Sequence, residues 1–112
     1  MDAVFKGEFG GLQDVVEMFD LSPKQATELL KADRIFAAYE TEPYQGSAIV
    51  VWQIGNQWWE VHASHCSCHG LEGQWEPEAT IWAALCQYLE GWPWWKEFQA
   101  HVDAAGGKPN DQ

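Results

Sequence analysis

The apolar positions along the chain change period as it runs. In GLQDVVEMFD, residues 11–20, Leu12, Val15, Val16 and Phe19 recur at i, i+3, i+4 and i+7, one face of a short amphipathic helix. In LSPKQATELLKAD, which follows, Ser22 is a favoured N-cap and Pro23 suits the first helical position. Ala26, Leu29 and Leu30 then make a second apolar stripe. After Asp33 the period shortens. RIFAAYET alternates and is rich in β-formers. GSAIVVWQI reads as a strong strand, with Ala48, Val50 and Trp52 on one face and Ile49, Val51 and Ile54 largely on the other. Apolar residues on both faces predict a central, covered strand. Gly55-Asn56 is a tight-turn signal, and NQWWEVHA is its hairpin partner. A three-stranded antiparallel meander is expected across residues 34–63.

The longer period returns near the end. Pro77 is expected to open a helix, PEATIWAALCQYLEG, with Ile81, Leu85, Tyr88 and Trp92 along one stripe and Trp82, Cys86 and Leu89 beside it. Pro93 restarts a last helix, PWWKEFQAHVDAA, with Trp94, Trp95, Phe98 and Val102 on its apolar side. The expected order is α-α-β-β-β-α-α: an α+β fold, a three-stranded antiparallel meander packed with N-terminal and C-terminal helix pairs. Residues 1–105 are read as a single domain and 106–112 as a flexible tail. No internal repeat or inter-domain linker is visible.

Charge alters the picture most. The 112 residues hold 17 acidic and 6 basic side chains, a formal −11. A field of that sign repels phosphate, so the helix pair at 11–33 is read as packing and not as a DNA-reading helix-turn-helix, and no direct nucleic-acid partner is expected. The partner that such a surface suits is a protein with a basic surface. No stretch approaches the roughly 20 apolar residues of a membrane span, and the start MDAVFKGEFGG has no leader-like pattern, so neither membrane nor export is expected. Eight tryptophans in a chain this short exceed what one core needs, so some of them are candidates for binding anchors.

Candidate chemistry gathers in HASHCSCHG, residues 62–70, where three of the four histidines and two of the three cysteines fall within nine residues. The segment admits zinc, through Cys66, Cys68, Cys86 and His65, although C-x-C is not the usual C-x₂₋₄-C knuckle and Cys86 must swing in from the following helix. It also admits a thiol-dependent enzyme using Cys66 or Cys68, against which stand the acidic surroundings that raise a thiol's pKa and the lack of any oxyanion-hole or phosphate-cradling motif. A third reading is a compact strand-to-helix corner: Ser64, Ser67 and the histidines satisfy backbone groups, Gly70 and Gly73 supply positive φ, the cysteines act as small apolar residues, and Trp75 plugs the junction. Beyond this corner, Trp92, Trp94 and Trp95 with Glu90 and Glu97 form an aromatic, acidic stretch that is a candidate protein-docking patch.

The run from Ala37-Ala38-Tyr39 through Tyr44-x-Gly46-x-Ala48 to WEVHASHCSCHGLEGQWEPE, with GGLQDVVEMFDL upstream, resembles a family of small proteins of tailed bacteriophages and prophages. The resemblance spans roughly residues 11–90, and SHCSCHGLEGQWEPE is its most specific part. The Trp-Trp pair at 58–59 and the Trp-rich end at 91–102 depart from that pattern. The resemblance implies a phage product acting in the host cytoplasm and brings no established activity. Together with charge and tryptophan content it leads to an expected function: a non-enzymatic protein that binds and inhibits a host protein, a defence complex being the target class, in an anti-CRISPR-like or other anti-defence role. The expected cofactor state is none, with zinc the alternative.

Overall fold

The structure, a computed structural model, describes residues 2–42, 45–66, 70–92 and 94–104. The expected α+β class is present, but the sheet is larger than a three-stranded meander. Among the described residues it has five strands in the order β1-β2-β3-β4-β5: β1 (Asp2–Gly7), β2 (Arg34–Glu42), β3 (Gln45–Ile54), β4 (Gln57–Cys66) and β5 (Glu78–Thr80). β1 runs parallel to β2, and every other neighbouring pair is antiparallel. The meander over 34–63 is therefore the middle of a mixed sheet. A parallel pair needs a crossover of a dozen or more residues, and α1 (Leu12–Phe19) with α2 (Pro23–Leu30) supplies it. The chain then closes with α3 (Trp82–Tyr88) and α4 (Trp95–Ala104).

The two N-terminal helices form as their sequence predicts. Ser22 caps α2: its Oγ accepts from the Gln25 N–H at 3.2 Å, while the Gln25 Oε1 accepts from the Ser22 N–H at 2.8 Å. This reciprocal box satisfies two donors that a helix start leaves open, with about 1 kcal/mol at stake. α1 ends on Asp20 in the left-handed conformation (φ 54°), which a short polar side chain tolerates.

Strand alternation divides the apolar residues between two cores. On one face Ile35, Ala37, Tyr39, Ala48, Val50, Trp52 and Val61 pack with Val15, Phe19 and Leu29 of α1 and α2. On the other, Phe36, Ala38, Ile49, Val51 and Trp58 pack with Leu85, Leu89, Trp95, Phe98 and Val102 of α3 and α4. The sheet is thus covered on both sides, with a helix pair on each. Ile54 belongs with Trp52 in the first core and not with Ile49 and Val51, as strict alternation requires. The hairpin turn at Gly55-Asn56 is where it was expected. Gly55 has φ 61°, and its N–H donates to Asp33 at 3.0 Å.

The segment after Pro77 departs from its expected helix. Glu78–Thr80 is strand β5, opposite Trp58, Trp59 and Glu60 of β4, and the helix starts only at Trp82. β4 would otherwise expose unpaired backbone along its outer side, and these residues satisfy part of it. The inward stripe of α3 shifts in consequence. Leu85 and Leu89 are buried and Trp82, Cys86 and Trp92 partly so, while Ile81 and Tyr88 face solvent.

Candidate functional site

The corner is built on cross-strand register. Tyr39 of β2 lies opposite Ala48 of β3, and Gly46 of β3 lies opposite His65 of β4. The two small residues of the middle strand leave a trough, and Tyr39 and His65 meet across it. The phenol oxygen and the imidazole Nδ1 share a hydrogen bond, and the rings stand edge to face, centroids 5.5 Å apart. A Cβ at Gly46 would lie 2.5 Å from the His65 ring and 2.9 Å from the Glu40 carbonyl oxygen, so glycine is required by close approach. Burial, then Glu8, then Glu72 raise the Tyr39 pKa above its ordinary value. A phenol is neutral at physiological pH even without this shift, and here it serves as a hydrogen-bonding post for His65.

Gln74 is the residue that the sequence reading missed. Its Oε1 accepts from the Ser64 N–H at 3.1 Å, and its Nε2 donates to the Ser64 carbonyl at 2.6 Å and to the Gly70 carbonyl at 2.9 Å. One side-chain amide imitates a strand partner for β4 beyond the end of β5. His62 and His65 do different work from that expected of them. His65 engages Tyr39, and His62 pairs through Nε2 with Glu60 and sets its ring edge-on to Tyr88. Gly73 takes positive φ (81°), whereas Gly70 does not. Trp75 plugs a junction on the α1 side: it stacks on Trp52 at 5.2 Å with 7° between planes and meets the Phe19 edge at 5.0 Å.

The candidate zinc set does not converge in its described members. His65 sits with Tyr39 on the α1–α2 face, whereas Cys86 packs with the second core, where its Sγ accepts from Gln99 Nε2 at 3.3 Å. The sheet separates them, so one ion cannot take both. The Cys66 side chain and Cys68, the other two candidate ligands and the candidate nucleophiles, lie outside the described residues. Among the described residues no three His, Cys, Asp or Glu side chains are arranged to hold a metal ion. No helix among them is long and apolar enough to cross a membrane.

The Trp-rich end is mainly core. Trp95 is fully buried against Phe36, Trp82 and Phe98, so it cannot be a surface anchor as proposed from sequence. Trp92 and Trp94 are half-buried against the same core. Glu90 is exposed, and Glu97 pairs with Lys6 of β1 at 3.1 Å. Pro93 and the tail expected at 106–112 lie outside the described residues.

An aromatic surface lies instead on the first face. A groove of about 520 Å³ opens between α2, the hairpin end of β3 and β4, and the segment at 75–77. Leu29, Trp52, Ile54, Trp59 and Trp75 form its apolar wall, with Gln25, Glu28 and Gln57 among them. Alternation explains the Trp-Trp pair. Trp58 points into the second core and is fully buried, and Trp59 points the other way, half-buried, into the groove. That volume is within the usual range for binding sites, and an apolar lining with a few polar groups is their usual composition.

Comparisons of the chain with protein-family models, curated proteins and solved structures return no match.

Proposed function

We propose that the protein is a small, non-enzymatic binding protein of a tailed bacteriophage or prophage that docks on a basic surface of a host protein in the host cytoplasm and inhibits it. A host defence complex is the target class, so the role is anti-CRISPR-like or otherwise anti-defence. The observation that carries the docking part is the groove of Trp52, Trp59 and Trp75 with Glu28 in its lining, open to solvent in a chain of formal charge −11. Indoles provide large, rigid contact area, and a field of one sign steers an oppositely charged partner and speeds encounter. The phage origin rests on the resemblance of SHCSCHGLEGQWEPE and its upstream motifs, and the inhibitory outcome on that origin taken together with the acidic charge and the tryptophan content. The reading needs no bound metal and no reactive thiol.

The test is capture from host lysate at low salt, followed by reconstitution with the purified partner. The expected result is one stoichiometric partner that releases as ionic strength rises and loses its own activity when bound. Failure to recover any such partner overturns the proposal.

A further inference from the structure

We infer that the groove is a receptor for an arginine side chain presented by the partner, with the guanidinium lying on the Trp59 indole and paired with the Glu28 carboxylate. This rests on the docking reading above and names what occupies its centre. Three features select a cation. Among the described residues Trp59 enters no ring pair, so its face is not already stacked, whereas Trp52 and Trp75 are stacked on each other. Among the described residues Glu28 is the one carboxylate in the lining, and no Lys, Arg or His of theirs accompanies it there. The contact of Glu28 with Lys31, 3.3 Å long with both side chains more than half exposed, is of the kind that contributes only about 0–1 kcal/mol, so an incoming cation displaces it at little cost. Arginine fits better than lysine. Its planar, weakly hydrated fork stacks on an indole and meets a carboxylate through two N–H groups at once. Gln57 stiffens the wall, since its Nε2 donates to the carbonyls of Trp58 and Thr80 at 2.7 and 3.1 Å.

The experiment titrates the full chain with a capped glycine peptide carrying three arginines, with lysine and citrulline versions beside it, and follows the indole N–H resonances by NMR at low salt. The expected result is saturable movement of the Trp59 and Trp75 signals by the arginine peptide, weaker movement with lysine and none with citrulline. Glu28→Gln, an exposed change that leaves the packing alone, is expected to weaken binding about tenfold. Asp103→Asn, an equal loss of charge on α4, changes it by less than about twofold. Trp59→Leu tests the stack. If Glu28→Gln behaves like Asp103→Asn, or the shifts map elsewhere, the arginine site is overturned while acidic docking stands. Equal binding of lysine and arginine peptides overturns the guanidinium assignment. No binding by either basic peptide at low salt overturns both. Self-association that disappears in Trp59→Leu places a second copy in the groove and also overturns the arginine site.

Discussion

At position 46 the lack of a side chain lets residues of the two flanking strands meet across the middle one. Gly46→Ala forces a methyl group against the His65 ring and the Glu40 carbonyl. The expected cost is about 1–3 kcal/mol by urea unfolding, with part of it recovered in the Gly46→Ala/His65→Ala pair because the two sites share one contact. Tyr39 makes a second prediction. Its folded pKa lies above the ordinary, unfolded value of about 10, because burial and two carboxylates favour the neutral phenol. The stability tied to that neutral form is complete below about pH 10 and is lost as pH climbs through the folded pKa. Absorbance titration of phenolate is expected to show a late-ionising tyrosine that Tyr39→Phe removes. The string Tyr44-x-Gly46-x-Ala48 was readable as a motif. Its purpose was not, because the partner of Gly46 is chosen by a register 19 residues away.

Elements formed where local signals were strong and shifted where pairing decided. The capped α2 and the Gly55-Asn56 hairpin arose as their own residues dictate. The two edge strands did not announce themselves. β1 contributes Val4 to one core and Phe5 to the other, and three-residue β5 has no large apolar side chain, so neither carries a readable period. Pro77 and its acidic neighbours mimic a helix start, yet the chain first pairs with β4. For the last helix, periodicity marked Trp94, Trp95, Phe98 and Val102 as one apolar side; Trp95, Phe98 and Val102 are buried there, whereas Trp94 precedes the helix and is only half-buried. Trp95→Ala is therefore expected to cost about 3–5 kcal/mol in chemical denaturation, against a clearly smaller loss for the half-buried Trp94→Ala.

Across the whole molecule, a sheet covered by helix pairs on both faces sorts the chemistry into separate compartments. His65 and Cys86 stand on opposite faces and cannot serve one ion. For protein purified without chelator, at most one of His65→Ala and Cys86→Ser is expected to change the zinc content measured by elemental analysis. The same sorting moves the candidate docking surface. Trp95 goes to the second core, and Trp59, next to buried Trp58, is turned to the opposite face, where it lines the same groove as Glu28.

The sequence by itself determined the α+β class, the N-terminal helix pair, the central hairpin and the acidic character. Each follows from a local period, a cap, a two-residue turn or a simple count of charges. Only the tertiary structure decided the mixed five-stranded sheet, the use of Gln74 as a strand partner for Ser64, the separation of His65 from Cys86 and the gathering of Trp52, Trp59, Trp75 and Glu28 around one groove. These depend on register and on which face each residue takes, and a shift of a single residue in pairing would turn the strand residues among them, Trp52, Trp59 and His65, to the other side.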